Sequence, residues 1–273
     1  MLRSIENNAV KGMVYADDED EPSTCVVRIG HLLFFGGSIT GECLVYVKAK
    51  ILTFEIYEKY GLFYFYYPNE AWRNALMILF PEQCEVRERS LHGIKSMPIA
   101  QIQIPPFIVP ITPKLMESGI KNREMIINEV GNTDLFLKNG IGYAVLIDGG
   151  IQGFCTSEYK SDKELAIGIE VVQAHQKKGY AKAMTSAFLK DAMGKGFNVY
   201  WESWKSNTAS VNTALSCGFR HIADYPMIFL DLRELNRSGR APDENDVLLA
   251  ARKHLPETET VMRVPKGLST YVY

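Results

Sequence analysis

The sequence predicts an α+β to α/β fold in two parts. A smaller N-terminal α+β unit spans 1–105, a C-terminal unit in which strands alternate with helices spans 106–235, and a polar extension covers 236–273. Three observations carry this. Short runs rich in Val, Ile, Phe and Tyr, punctuated by glycines, recur through the first hundred residues. Pro98 and the pair Pro105-Pro106 interrupt the chain as a connector would, because proline removes a backbone donor and holds its neighbours extended. Beyond them, apolar runs of strand length are separated by stretches with helical spacing. No internal repeat is evident.

In the first part, Asp17-Asp18-Glu19-Asp20-Glu21 reads as a solvated loop. Cys25–Phe35, Glu42–Ile51 and Leu62–Tyr67 read as β-like runs, with Gly36-Gly37 and Gly61 between them. Asn69 is placed to cap a helix carrying Trp72, Leu76, Leu79 and Phe80 on one face, ended by Pro81. The aromatic run Phe63–Tyr67 reads as a buried strand, with a pocket or partner surface as the other reading. In the second part, Phe107–Ile111 is a short apolar run, followed by helical material from Pro113 to Lys138. Ile141–Ile147 and Ile151–Tyr159 flank Asp148-Gly149-Gly150, a hairpin signal. Glu164–Val172 is a third strand, and a glycine-bearing loop leads from it to a helix over Tyr180–Lys195. Asn198–Glu202 is a strand, and Asn207–Cys217 is a helix with Val211, Ala214 and Leu215 on one face. Arg220–Leu232 reads as a final hairpin broken at Pro226, and Asp246–His254 as an amphipathic helix.

Composition limits the function classes. Of 273 residues, 47% are hydrophobic and 23% charged, enough for a packed core. A net charge of −2 argues against a sequence-independent grip on nucleic acid. The five cysteines contain no Cys-x-x-Cys pair, so no metal site is indicated and reduced thiols are expected. Met1–Tyr15 lacks a signal-peptide core, and no apolar run approaches the roughly 20 residues of a membrane span. A cytoplasmic protein without membrane or nucleic-acid partners is expected.

The chemistry centres on Gln176-Lys177-Lys178-Gly179-Tyr180-Ala181. A strand feeding directly into a helix leaves first-turn amides without acceptors at the positive end of the helix dipole. Phosphate oxygens satisfy both. Gly179 permits close approach, Ala181 keeps the first turn small, and Lys177, Lys178 and Lys182 add charge. An ordinary strand–helix turn with surface lysines is the competing reading. No other phosphate-loop pattern is present.

With its surroundings, the loop takes a more specific meaning. Val171, Gln176, Gly179 and Ala181 match Val-x-x-x-x-Gln/Arg-x-x-Gly-x-Gly/Ala, and downstream Asn207 opens a helix that closes on Gly218-Phe219. The segment from about 107 to 232 thereby resembles the GNAT superfamily of N-acetyltransferases, and the extra N-terminal part combined with the run Trp201-Glu202-Ser203-Trp204-Lys205-Ser206-Asn207-Thr208-Ala209-Ser210 resembles a zwittermicin-resistance-type bacterial subgroup. The resemblance implies a mixed, mostly antiparallel sheet flanked by helices, with acetyl-CoA as co-substrate. It implies that Ile169, Glu170 and Val171 bind the pantetheine arm through their backbone, and that residues from Gln176 through Lys182, Tyr180 included, hold the diphosphate. Asn207 reaches the pantetheine or diphosphate, or acts as an ordinary helix N-cap, or both. The N–H near Val171 is the implied oxyanion donor, and Glu202 is the candidate general base, with a strand-end ion pair as its other role.

The family's frequent tyrosine seven residues after the asparagine is here Ala214. Tyr200, Ser210 and Tyr225 are neighbours that can be considered as acids. His175 lies on a variable loop position, and Trp201 and Trp204 flank Glu202. The acceptor is expected to be a small primary amine. The alternative is a non-catalytic acyl-CoA-binding or sensing protein. The N-terminal part is a candidate for the acceptor pocket or for a homodimer contact.

Overall fold

The computed structural model describes residues 12–18, 20–51, 61–94, 103–130, 132–160, 163–233 and 270–272. Its elements begin β1 (Met13–Ala16), β2 (Thr24–Ile29), β3 (Leu32–Gly37), α1 (Gly41–Ile51), β4 (Leu62–Tyr66), α2 (Glu70–Leu79) and β5 (Cys84–Ile94). They continue β6 (Ile108–Pro110), α3 (Pro113–Glu117), α4 (Glu124–Val130), α5 (Thr133–Asn139), β7 (Gly142–Ile147), β8 (Gly150–Lys160) and β9 (Glu164–Val171). After a short 3₁₀ turn come α6 (Tyr180–Gly194), β10 (Asn198–Trp204), α7 (Thr208–Ser216), β11 (Arg220–Asp231) and β12 (Thr270–Val272). Helices flank mostly antiparallel β-structure, as expected.

Two compact units part at Arg87/Glu88 and again at Tyr225/Pro226. The first unit holds residues 12–87 and those from Pro226 onward; the second holds Glu88–Tyr225. The boundary placed near residue 105 from the prolines is therefore not where the units divide. The cause is strand pairing: Arg89–Ile94 of β5 pair with β10, and Ile228–Asp231 of β11 pair with β4.

In the first unit, β1, β2 and β3 form an antiparallel meander. The run Cys25–Phe35 is thus a hairpin, not one strand. Gly30, at φ +56, supplies the turn position that a side chain disfavours. β4 lies parallel to β3. The segment Glu42–Ile51, expected as a strand, is helix α1. Its β-branched content suggested a strand, but Thr40 caps it, accepting the Cys43 amide at 3.1 Å, and Leu44, Val45 and Val47 bury one helical face. Asn69 caps α2 by accepting the Trp72 amide at 3.1 Å, and Trp72, Leu76 and Leu79 are buried. Asn69→Ala should cost about 1 kcal/mol of first-unit stability, measurable by denaturant titration. β4 alternates, with Phe63 and Phe65 at 0% exposure, so the aromatic run is a buried strand.

In the second unit, β6 to β9 run antiparallel. The β7–β8 turn uses Asp148 at φ +51 and Gly149 at φ +72, as a two-residue hairpin requires. β10 lies parallel to β9 and antiparallel to β5. α6 and α7 pack with the Leu165, Ile167, Val199 and Trp201 face through Met184, Phe188 and Ala214. α3, α4 and α5 pack with Ala144, Ile151 and Phe154. Ala214 on α7 and Cys217 at its C-cap are buried, but Leu215 is 48% exposed, so it leaves the expected apolar face. Arg220–Leu232 is not a hairpin: β11 runs unbroken through Pro226, which stands where the strand passes between units. The expected junction at Pro98 and the helix at Asp246–His254 lie outside the described residues.

Candidate active site

The second unit's site begins where two parallel strands part. The β9–β10 ladder ends at Ile167–Trp201. Beyond it, β9 continues against β8 to Val171 and β10 continues against β5 to Trp204. Backbone groups alternate sides along a strand, and Val172 donates to the Gln152 carbonyl on the β8 side at 2.9 Å. Val171 and Ile169 therefore present their backbone N–H groups to the opening, whereas those of Glu170 turn toward β8. Of the three residues expected to meet a pantetheine arm, two present backbone donors to the gap.

The loop after β9 is shaped by two left-handed residues. Lys177 has φ +62 and Gly179 φ +81. The Gln176 side chain donates to the Val171 carbonyl at 3.1 Å, tying the loop to the strand end. Gly179 is the N-cap of α6 without a side-chain cap, and no acidic residue lies in the first turn. Ala183 makes the first helical bond, to the Gly179 carbonyl at 3.0 Å. Among the described residues, the amides of Lys177, Lys178, Gly179, Tyr180, Ala181 and Lys182 donate to no acceptor. A Cβ on Gly179 would meet nothing within 4 Å, so the space in front of the helix is open. Amides without acceptors, a fifteen-residue helix and three lysines nearby in the sequence put positive potential at this helix end. His175 is placed by packing: its ring stacks on Tyr180 at 6.2 Å, and Tyr180 meets Phe107 edge-on at 5.6 Å.

Asn207 caps α7, accepting the Ser210 amide at 3.1 Å. The Ser210 hydroxyl in turn accepts the Trp201 indole N–H at 2.9 Å. Trp201 is buried against Phe219. Ala214 is fully buried. Tyr200 is turned to Glu164, its hydroxyl 3.4 Å from that carboxylate, and burial with that neighbouring charge raises its pKa.

Glu202 is the first residue of β10 beyond the last rung shared with β9. It lies on the strand face opposite buried Trp201 and Ser203. Arg89 donates its Nε to Glu202 Oε1 at 2.6 Å, with side-chain exposures of 15% and 28%. The Arg89 guanidinium also lies over the Trp204 ring at 4.8 Å. The ion-pair role left open for Glu202 is thus present. Arg89 escaped the sequence reading because it is 113 positions away, and only the β5–β10 pairing brings it near.

At the end of β10, Lys205 joins Glu88 at 2.8 Å and Asp224 at 3.2 Å. Asp224 also meets His221 at 2.9 Å; hydrogen bonds from His221, Ser90 and Lys205 hold its carboxyl well below the usual range. His92 is 1% exposed and faces the His221 ring at 5.5 Å. Burial, then the neighbouring His221, holds its imidazole below the ordinary 6.5. Well above 6.5 both folded and unfolded chains carry neutral His92; as pH falls through that value the unfolded chain takes up the proton first, so stability falls until folded His92 titrates. His31, also lowered by burial, acts in the same direction. His92→Gln should flatten part of the loss of denaturant midpoint between about pH 7 and 5.

All five cysteines are free. Burial raises every thiol: Cys43 to about 11, Cys84 to about 12, with Cys25, Cys155 and Cys217 also above the ordinary value. None is primed as a nucleophile. No group of metal-ligating side chains occurs among the described residues, and no helix among them is long and apolar enough to cross a membrane.

Splayed strands, an uncapped helix behind a glycine turn and an asparagine-capped second helix form one constellation, and the family model for GNAT acetyltransferases matches residues 1–228. The chain belongs to that family. GNAT members use acetyl-CoA as co-substrate and transfer its acetyl group. The fold is similar to that of a GCN5-related N-acetyltransferase-like protein from Streptococcus suis, at 18% identity and TM-score 0.66, over 82% of this chain and 91% of that one. It is also similar to a functionally unknown conserved protein from Staphylococcus epidermidis, at 11% identity and TM-score 0.54, over 80% and 94%. A putative GNAT acetyltransferase from Novosphingobium aromaticivorans matches at 14% identity and TM-score 0.50, over 78% and 89%. A search of curated protein sequences gives no match.

Proposed function

We propose that this GNAT chain transfers an acetyl group from acetyl-CoA to a primary amine of a small molecule, by direct attack of the amine on the thioester. The observation that carries this is the open run of amides from Lys177 to Lys182 beside the β9–β10 gap. The diphosphate occupies the loop, and the pantetheine arm extends along the free edge of β9 at Ile169 and Val171. The thioester oxygen takes a backbone N–H at the end of β9, where charge develops as the carbonyl carbon becomes tetrahedral. The amine nitrogen bonds to that carbon, its proton passes to Glu202 directly or through a water, and the C–S bond breaks to release CoA. Arg89 positions the Glu202 carboxylate from the side. The raised thiols support direct transfer over an acyl-cysteine intermediate.

Of the hydroxyls considered, Ser210 is the one we propose to meet the departing thiolate. It lies one helical turn before Ala214, and because its oxygen accepts from Trp201 its hydrogen is directed elsewhere. A panel of primary amines assayed for thiol release with acetyl-CoA tests the reading. Amine-dependent release is expected. Tight acetyl-CoA binding with no release for any amine would favour the binding-only alternative, which the buried Ala214 and the Arg89–Glu202 pair leave standing.

A further inference from the structure

We propose that the first unit is a second copy of the fold that forms the second unit, with its acyl-CoA groove closed by Trp72 and its loop capped by Thr40, so that each chain binds one acyl-CoA. The assignment of that groove to acyl-CoA rests on the proposed function above; the duplication rests on the backbone.

From the meander onward the element order is the same in both; β6 and α3 to α5, which precede the second meander, have no counterpart ahead of β1 among the described residues. An antiparallel meander, β1–β2–β3, leads through α1 to the parallel strand β4, then through α2 to β5. The meander β7–β8–β9 leads through α6 to the parallel strand β10, then through α7 to β11. The third strands end in the same register. Gly37 stands opposite Thr24, and Ser38 donates to the Ser23 carbonyl at 2.8 Å. Val171 stands opposite Gly153, and Val172 donates to the Gln152 carbonyl at 2.9 Å.

Both third strands also outrun their parallel partners. The β3–β4 ladder stops at Phe34–Tyr66, three residues before Gly37. The β9–β10 ladder stops at Ile167–Trp201, four before Val171. Each following helix is capped by an asparagine that accepts the amide three residues on, at 3.1 Å in both cases. The helix openings share Asn-x-Ala-x-x-Asn: Asn69, Ala71 and Asn74 in one, Asn207, Ala209 and Asn212 in the other.

The differences fall at the ligand-binding positions. Where the second unit has Ser210, the first has Trp72, which is fully buried. Its indole N–H donates to the Gly37 carbonyl at 2.9 Å, the counterpart of the Val171 carbonyl held by Gln176. An indole thus fills the parting of β3 and β4. Thr40 caps α1 only three residues after Gly37, whereas Gly179 follows Val171 by eight. The lysine-bearing loop has no counterpart, the Thr40 oxygen takes the Cys43 amide, and Glu42 puts a carboxylate in the first turn. A diphosphate would meet a used amide and a like charge.

The test is native mass spectrometry of the full chain with CoA, joined to hydrogen exchange with and without it. One CoA per chain is expected, with slowed exchange over 169–183 and no change over 35–45. A second CoA per chain, or protection over 35–45, would overturn the inference. If CoA neither binds nor protects, the acyl-CoA reading of the second unit falls instead, and closure of the first is read in the free protein. There the Trp72 indole N–H, assigned by its loss in Trp72→Phe, should exchange at least ~100-fold slower than an open indole. Exchange at the open rate would show the groove unfilled and overturn the closure.

Discussion

Gly179→Val should weaken acetyl-CoA binding at least ~100-fold while leaving the fold intact. Gly179 holds φ +81, a conformation that costs an L-residue about 1–2 kcal/mol and a β-branched one more. A Cβ there would meet no neighbour within 4 Å, so the unliganded protein does not clash. The damage falls on the loop. Forcing Gly179 from its left-handed conformation turns the Tyr180 and Ala181 amides away from a common point, and the added methyls stand where the diphosphate approaches. Losing two or three charge-assisted hydrogen bonds, each worth about 1.5–3 kcal/mol, raises the dissociation constant at least ~100-fold. Isothermal titration reads the affinity, and circular dichroism reads the retained fold. Near-normal affinity in a folded variant would remove the loop from the site.

Glu202→Gln has the second large effect, on turnover instead of binding. General-base catalysis contributes about 10²–10⁴-fold, and glutamine keeps the shape while it cannot take the amine proton. The turnover number should fall by about that factor with acetyl-CoA affinity unchanged. Glutamine also ends the charge pairing with Arg89, whose guanidinium stays stacked over Trp204, so a stability measurement on the same variant separates the two roles. Lost stability with unchanged turnover would make Glu202 a structural partner of Arg89 only.

The loop end of the candidate site was legible in the sequence because its signals are local. Strand, loop and helix adjoin along the chain, and Gly179 and Asn207 mark helix starts by rules that hold within a few residues. The surroundings of Glu202 were less legible. Arg89 and Glu202 meet only because β5 pairs with β10, which no local pattern reports. Helix α1 was misread because Val45 and Val47 weigh toward strand while the decisive signal, Thr40 as cap, is one side chain. The duplication was hidden for a related reason. It resides in backbone register and hydrogen bonding, whereas Trp72 against Ser210, and a loop five residues shorter, removed the sequence likeness at the positions where ligand binding differs.

The proposed function stands on the Lys177–Lys182 amides holding the diphosphate of an acyl-CoA. A ligand bound to the native state must raise its apparent stability, so the direct measurement is a thermal shift of the full chain with acetyl-CoA and, in parallel, with S-acetylpantetheine, which lacks the diphosphate. A rise in Tm that grows with acetyl-CoA concentration, and little or none with S-acetylpantetheine, is the expected result. Equal shifts with both, or none with acetyl-CoA, would contradict the claim.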